Sequence, residues 1–108
     1  MVRESPYREF VEEVKELNLL FSSNSTGDFE TDWFDVSRYR KIIIIVRTDK
    51  TCEIQLIFSN TDVPDYFDSF TAAYGLYKFE SDIVAKNLKI KVVHGAAPSN
   101  FSLIIYTL

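Results

Sequence analysis

Few side chains in this sequence of 108 residues are of the kinds that carry out chemistry. His94 is the only histidine and Cys52 is the only cysteine. A catalytic thiol needs a base beside it, and a zinc site needs several nitrogen or sulfur ligands at short spacings, but neither residue has such a neighbour in the sequence. We therefore interpret Cys52 as a small packing residue within a strand and His94 as the end of another strand.

Three carboxylates in the middle of the chain form the one arrangement that suggests a metal ion. Asp62, Asp65 and Asp68 stand three residues apart, and carboxylate oxygens are ligands for calcium. The EF-hand pattern is absent, and Tyr66 and Phe67 interrupt the charge, which favours a contact loop on the surface. The sequence also has no glycine-rich phosphate loop and no G-x-S-x-G motif. We expect a protein that is not an enzyme and that holds no metal or cofactor.

Charge and composition restrict the partners. A net charge of −4 and a sequence pI near 4.9 oppose binding to a phosphate backbone, so no nucleic-acid partner is expected. No apolar run approaches the roughly 20 residues of a membrane span, and the N-terminal sequence lacks a signal-peptide pattern. We expect a soluble protein made in a cytoplasm, without a membrane partner. Aromatic residues make up 15% of the chain, which favours contacts with other molecules.

An amphipathic helix is predicted at the N-terminus, within residues 1–18. Ser5 can cap the helix and Pro6 suits its first position. The apolar side chains recur at helical spacing and form one stripe, namely Tyr7, Phe10, Val11, Val14 and Leu17. A helix of about three turns is marginal alone in water, so this one must dock on a surface. We expect that surface to belong to its own β-domain, residues 19–108, with a neighbouring subunit as the alternative.

The segment 41–59 carries the clearest strand signals. The run Ile42–Val46 is entirely β-branched, which favours a strand, and its lack of a polar face means that both sides must be covered. After a short polar turn at 48–51, Ile54, Leu56 and Phe58 alternate with more polar residues. The pattern predicts a β-hairpin with one face committed to the core.

A second apolar face is predicted on the opposite parity of the strands. It holds Ile43, Ile45, Ile57, Val93, Ile104 and Tyr106. Leaving several such side chains in water costs a few kcal/mol at about 25 cal/mol per Å² of apolar surface. We expect the N-terminal helix or a partner subunit to cover this face.

The rest of the chain predicts further short strands. They are expected near residues 19–21, 70–73, 76–79, 88–93 and 101–108, and buried positions are expected at Phe29, Trp33 and Val36. The acidic connection 60–68 is expected to cross between two sheets. Together these elements predict an all-β fold, an antiparallel, jelly-roll-like β-sandwich with one N-terminal amphipathic α-helix.

The segment 33–39, with the strands that follow, resembles a pattern of β-sandwich domains in virion proteins of tailed phages and large double-stranded-DNA viruses. Those domains run W-x-D-hydrophobic-S-x-Y, a hydrophobic strand, a T-D turn and a strand that ends in F-S, and the resemblance covers residues 33–108. The matching residues are Trp33, Asp35, Ser37, Tyr39 and, in the closing strand, Phe101. The resemblance implies structural roles for them, with Trp33 and Tyr39 anchoring the sheet ends and Asp35 and Ser37 bonding the turn backbone.

This resemblance implies a non-enzymatic structural protein of a virus particle, either a minor capsid or cementing protein or a tail or fibre module. Its partners would be other virion proteins or further copies of itself, and it would reside in the virion after synthesis in the host cytoplasm. A similarity to galactose-binding-like sandwiches keeps a carbohydrate-binding module as the alternative, with a sugar stacked on Tyr66, Phe67, Tyr74 or Tyr77. The candidate contact residues are Tyr7, Phe10, Val14, Leu17, Ile43, Ile45, Tyr66, Phe67, Tyr74 and Tyr77.

Overall fold

The computed structural model describes residues 17–61 and 63–108, and within them the chain is all-β. Nine strands follow one another: β1 Asn18–Ser23, β2 Phe29–Glu30, β3 Phe34–Asp35, β4 Lys41–Thr48, β5 Cys52–Ser59, β6 Tyr66–Ala72, β7 Gly75–Asp82, β8 Asn87–His94 and β9 Phe101–Thr107. The predicted N-terminal helix lies outside the described residues and stays a prediction. Its predicted end, Asn18, is the first residue of β1. No helix in the described ranges is long and apolar enough to cross a membrane.

The strands form two antiparallel sheets. The first sheet has the order β1-β9-β4-β7, and the second has the order β2-β8-β5-β6 with β3 also paired to β8. Because β2 and β3 pair with the same neighbour, they are two pieces of one interrupted edge strand. The prediction of an antiparallel all-β fold is confirmed.

The core lies between the two sheets and is built by alternating residues. Buried side chains come from the central strands of both sheets and from the turn before β4: Val36, Ile42, Ile44, Val46, Cys52, Ile54, Leu56, Phe58, Ala72, Leu88, Ile90, Val92, Phe101, Leu103 and Ile105. The predicted alternation of Ile54, Leu56 and Phe58 is confirmed, since all three are fully buried. Of the three residues predicted to be buried before β4, Val36 is fully buried, whereas Phe29 and Trp33 are half-buried.

The predicted hairpin at 48–51 is wrong. Strand β4 belongs to the first sheet and pairs with β7 and β9, while β5 belongs to the second sheet, so this short turn carries the chain across the sandwich. Asp49 in this turn forms hydrogen bonds with the loop before β9 rather than bonds between β4 and β5. The Asp49 backbone N–H donates to the Asn100 carbonyl at 3.3 Å, and the Asp49 carboxylate accepts from the Ser99 N–H at 3.0 Å.

The acidic connection, predicted to cross between sheets, instead joins two neighbouring strands. Strands β5 and β6 pair directly, with Ile57 opposite Phe67, so the connection is a loop at the edge of the second sheet. Tyr66 and Phe67 belong to β6 rather than to the loop. The loop is closed by Asp65, whose N–H donates to the Phe58 carbonyl at 2.9 Å and whose side chain accepts from the Asn60 N–H at 2.8 Å.

The single second apolar face that we predicted is divided between the two sheets. Ile43, Ile45, Ile104 and Tyr106 lie on the outer side of the first sheet, where their strands are paired. Ile57 and Val93 lie on the outer side of the second sheet. The division follows from the crossing at 48–51, because residues of equal parity in β4 and β5 end on opposite surfaces of the sandwich.

The two open sides of the sandwich differ. Between the edge strands β6 and β7, the rings of Phe70 and Phe79 stack at 4.9 Å and Tyr77 stacks on Phe79 at 5.9 Å, which closes that side. After the short crossing from β6, strand β7 begins at Gly75, whose φ of 131° is a conformation that favours glycine. On the other side, β1 faces β2 and β3 across a cleft.

Candidate functional site

Cys52 and His94 are distant in the sequence, but they are neighbours on adjacent strands. Cys52 of β5 stands opposite His94 of β8. Cys52 is only 1% exposed, and this burial raises the pKa of its thiol above the usual value. Neither ring nitrogen of His94 has a hydrogen-bond partner among the described residues, so the imidazole does not activate the thiol. The pair has the packing of core residues, with the His94 ring edge-on to Phe101 at 4.7 Å.

The described aspartates of the acidic connection accept hydrogen bonds from backbone N–H groups and do not point towards a common metal site. The Asp65 carboxylate accepts from the Asn60 N–H, and the Asp68 carboxylate accepts from the Ser69 N–H at 2.9 Å. Asp62 lies outside the described residues. Across 17–61 and 63–108, no three His, Cys, Asp or Glu side chains are grouped so that they could share a metal ion.

The motif residues before β4 form a bonded turn. Asp35 accepts hydrogen bonds from the Ser37 N–H at 3.0 Å and from the Ser37 hydroxyl at 2.7 Å. These bonds, the hydroxyl bond first, lower the pKa of the Asp35 carboxyl. The next turn residue, Tyr39, donates its N–H to the Val36 carbonyl at 3.0 Å and packs its half-buried ring against the core. The turn fixes the direction in which the chain enters β4.

The remaining motif rings belong to different sheets, with Trp33 directly before β3 of the second sheet and Phe101 at the start of β9 in the first sheet. Trp33 is half-buried with the Lys89 ammonium 4.7 Å from the centre of its ring, a cation–π geometry. Phe101 is 5% exposed and begins β9. Both residues therefore contribute to packing.

The aromatic residues proposed for contacts do not form one site. Tyr66 and Phe67, 51% and 62% exposed, start β6, whereas Tyr74, 79% exposed, follows its other end. Strand β6 runs from Tyr66 to Ala72, so its two ends lie roughly 20 Å apart. Tyr77 is half-buried, since its ring is stacked on Phe79. A sugar could therefore not contact all four residues at once.

A continuous apolar strip lies on the outer side of the first sheet. Its rows follow from the strand register: Tyr106 beside Ile43, then Ile104 beside Ile45. In the last row, Leu76 of β7 stands opposite Arg47 of β4. Side chains that are paired in an antiparallel sheet project from the same face, so these rows form one surface.

Exposure increases along the strip towards the turn at 48–51. Ile43 is 6% exposed although it points outward, Ile45 and Ile104 are half-buried, and Leu76 is 61% exposed. Beyond Leu76 lies Tyr74, which has the largest exposure of the large apolar side chains in the described ranges. We call Arg47, Tyr74 and Leu76, with the neighbouring Ile45 and Ile104, the Tyr74–Leu76 surface.

Two shallow grooves run across the Tyr74–Leu76 surface. One of about 250 Å³ is lined by Ile45, Arg47, Leu76, Ser102 and Ile104. The other, of about 400 Å³, is lined by Arg47, Thr48, Asp49, Tyr74, Gly75, Leu76 and Asn100. The grooves share Arg47 and Leu76 and are therefore continuous. The surface thus combines an apolar floor with an exposed aromatic ring and an exposed cation.

Only part of this surface was predicted from the sequence. Ile45 and Tyr74 were among the candidate contact residues, but Arg47 and Leu76 were not. A signal for Leu76 was present, because it shares parity with Lys78 and Glu80, which are exposed and joined by an ion pair at 3.5 Å. A leucine in line with two charged residues on one strand indicates an exposed apolar side chain.

Comparison with known proteins shows that the fold of this chain is similar to that of a solved structure. No protein-family model matches the sequence, and no curated protein is significantly similar to it. Among solved structures, the chain is similar to the PBSX exported protein XepA, with a TM-score of 0.67 and 16% sequence identity. The similarity covers 84% of this chain and 36% of the XepA chain, so this chain spans about a third of the length of that protein. At this identity, the comparison shows a shared all-β fold.

Proposed function

We propose that this protein is a non-enzymatic structural module of a virus particle and acts through protein–protein contacts, as a minor capsid or cementing protein or as a tail or fibre module. Its fold is similar to that of XepA, a PBSX phage exported protein, which supports a phage context for this chain. The strand order also supports a jelly roll. Counting β2 and β3 as one edge strand, the two sheets contain eight antiparallel strands, the number found in jelly rolls.

The Tyr74–Leu76 surface is the observation that carries the proposed function. Tyrosine and arginine are enriched among the residues that dominate binding energy, and here Tyr74 and Arg47 flank the exposed Leu76. Arg47 has no ion-pair partner among the described residues, so its guanidinium is available to a carboxylate of another protein. Burying Leu76 and Tyr74 in a contact would remove a large apolar area from water.

A carbohydrate-binding function has less support from the same geometry. The exposed rings of Tyr66 and Phe67 are far from Tyr74, and Tyr77 is stacked within the protein. Sugar recognition also needs polar groups that converge beside a ring, whereas the outward neighbour of Phe67 on β5 is the apolar Ile57.

The predicted N-terminal helix has a place in this proposal. Residues 1–16 lead into Leu17, directly before β1, and β1 lies beside the Tyr106 end of the strip. A helix over residues 7–17 would be about 16 Å long, close to the width of a sheet of four strands. We therefore assign its apolar stripe to the Ile43 and Tyr106 end, which leaves the Tyr74–Leu76 surface for a partner. Ile57 and Val93 take no part, because they lie on the other sheet.

Photo-crosslinking in assembled particles tests the proposed function. A photo-reactive amino acid placed at position 76, in particles of the virus that encodes the chain, is expected to crosslink to a virion protein, which mass spectrometry would identify. The same group at Val84, which is 51% exposed elsewhere on the domain, serves as the control. Absence of the chain from purified particles would refute the proposal.

A further inference from the structure

The cleft between β1 and the interrupted edge strand β2–β3 is a second concave site, unrelated to the Tyr74–Leu76 surface. Its volume is about 560 Å³, and its lining comes from both sheets: Phe21, Ser23, Ser25, Phe29, Glu30, Thr31, Asp32 and Phe34. Strand β1 is one edge of the first sheet and β7 is the other, so the cleft and the Tyr74–Leu76 surface lie on opposite sides of the sandwich.

Three phenylalanine rings form the floor of the cleft. Phe21 contacts Phe29 at 6.0 Å and Phe34 at 5.9 Å between ring centres, with interplanar angles of 45° and 51°. The opposite side of the sandwich is closed by the stacked rings of Phe70 and Phe79. The three rings of the cleft are tilted and line a concave pocket rather than forming a flat platform. Such a pocket fits the alkyl part of a side chain better than the face of a sugar ring.

The rim of the cleft is acidic. Glu30 and Asp32 are both exposed, and neither has an ion-pair partner in the described part of the chain. The backbone between them is held by Thr31, whose N–H donates to the Ile90 carbonyl at 2.8 Å and whose hydroxyl oxygen accepts from the Ile90 N–H at 3.0 Å. The backbone that carries the two carboxylates is therefore held beside the aromatic floor. This combination attracts a cation with an apolar stem, through charge and through the faces of the rings.

The wall of the cleft offers backbone hydrogen bonds. In β1, the residues Phe21, Ser22 and Ser23 pair with β9, and no strand within residues 17–61 or 63–108 pairs with their other edge. An edge strand has a row of N–H and C=O groups that another extended chain can pair with. The side chains of Phe21 and Ser23, on the same strand, line the cleft. An extended peptide alongside β1 could therefore place alternate side chains over the phenylalanine floor.

We propose that the cleft binds an extended segment of a partner protein, which adds to the edge of β1 and inserts a lysine or arginine side chain between the phenylalanine floor and the carboxylates of Glu30 and Asp32. The proposal does not depend on the protein being part of a virus particle. It gives the domain two contact sites of different chemistry: an apolar one beside an exposed arginine, and an acidic one over aromatic rings.

Selection from a display library of random twelve-residue peptides on the full chain tests the proposal. The selected peptides are expected to carry a lysine or arginine flanked by apolar residues. Their binding to the wild-type protein and to the double variant Glu30→Gln, Asp32→Asn is then measured by calorimetry. The double variant is expected to bind at least tenfold more weakly with an unchanged melting temperature, because both side chains are exposed, and binding should weaken as salt is added.

A control and a map of the binding site complete the test. The variant Asp82→Asn, which removes an exposed carboxylate from β7 on the other side of the sandwich, should bind the peptides as the wild-type protein does. Amide chemical shifts should change along β1 and at Phe29. The proposal is overturned if no selected peptide distinguishes the wild type from the double variant, or if the selected peptides lack a basic residue. Binding of free galactose that is lost in the double variant would assign the cleft to a carbohydrate and would also overturn the proposal.

Discussion

The rings of Phe70 and Phe79 stack with centroids 4.9 Å apart, although their strands belong to different sheets. Phe70 lies on β6 and Phe79 on β7, and the chain passes from one strand to the other within two residues. The stack therefore closes the sandwich at the place where the chain changes sheets. Strands β6 and β7, although separated by only two residues, therefore face each other across the core.

Loss of either ring of the stack should destabilise the domain. Phe70→Ala or Phe79→Ala should each lower the free energy of unfolding by about 2–4 kcal/mol, somewhat less than for a fully buried phenylalanine, because both rings are half-buried. In a double-mutant cycle, the two changes should couple by about 0.5–1.5 kcal/mol, as expected for an aromatic pair in contact. Urea denaturation measures all three values. Strictly additive effects would show that the rings contribute only by separate burial.

Replacement of His94 by leucine should stabilise the domain slightly. Both ring nitrogens of His94 are buried and have no hydrogen-bond partner among the described residues, so the folded state bears their desolvation cost. His94→Leu removes these nitrogens and keeps an apolar contact with Phe101, so we expect a gain of up to about 1 kcal/mol. Thermal melting of the two proteins at pH 7 provides the comparison. A loss of more than about 1 kcal/mol would mean that His94 has a partner or a packing role that this geometry does not show.

The turn at Asp35 should make stability depend on pH. Hydrogen bonds from Ser37 lower the pKa of Asp35 below 3.8 in the folded state, so the ionised carboxylate is favoured by folding. Its contribution is complete above the unfolded pKa and is lost as the pH falls through the folded pKa. The stability difference between the wild type and Asp35→Asn should therefore shrink when the pH is lowered from 6 to 3. Denaturation of both proteins at the two pH values gives the answer, and an unchanged difference would contradict the role of these bonds.

A single charged substitution in the predicted N-terminal helix can show where the helix docks. If its apolar stripe docks on the strip of the first sheet, Phe10→Asp should lower the free energy of unfolding by about 2–3 kcal/mol, because it places a charge in an apolar contact. Lys15→Asp, on the polar face of the same helix, is the control and should change stability far less. Thermal melting of the isolated protein separates the alternatives. An unchanged melting temperature for Phe10→Asp would show that the helix docks on another subunit.

The sequence was sufficient to locate most of each longer strand, but not the short β2 and β3, the start of β6 or the end of β7, and it did not show how the strands pair. The alternation in β5 and β8 reflects burial on one face, which acts on each strand separately and can be read from its residues. Pairing depends on partners distant in sequence. The turn at 48–51 is as short as a hairpin turn, yet Asp49 bonds to the loop that carries Ser99 and Asn100, about 50 residues away in the chain. Conversely, the longer acidic connection does close a hairpin, because Asp65 bonds back to Phe58 and Asn60.

For the Tyr74–Leu76 surface, the sequence likewise showed which residues are apolar but not which of them lie on one face. The apolar character of Ile45 and Ile104 was plain from their types, but their position on a face separate from Ile57 required the sheet assignment. The cleft over Phe21, Phe29 and Phe34 was not predicted at all, because it forms between edge strands of two sheets that the sequence does not place side by side. What can be read locally is which residues are apolar; which of them share a surface is set by topology.

The incorporation of variant chains into virus particles tests the central claim most directly. Wild-type protein and Leu76→Asp would be co-expressed during assembly of the particle, and their ratio in purified particles would be measured by mass spectrometry, with Val84→Asp as the matched control on another surface. Both residues are more than half exposed, at 61% and 51%, so neither variant should unfold, and equal melting temperatures would verify this. We predict that Leu76→Asp is depleted at least tenfold from particles while Val84→Asp is incorporated like the wild type. Incorporation of Leu76→Asp at the wild-type level would contradict the claim that the Tyr74–Leu76 surface binds a virion protein.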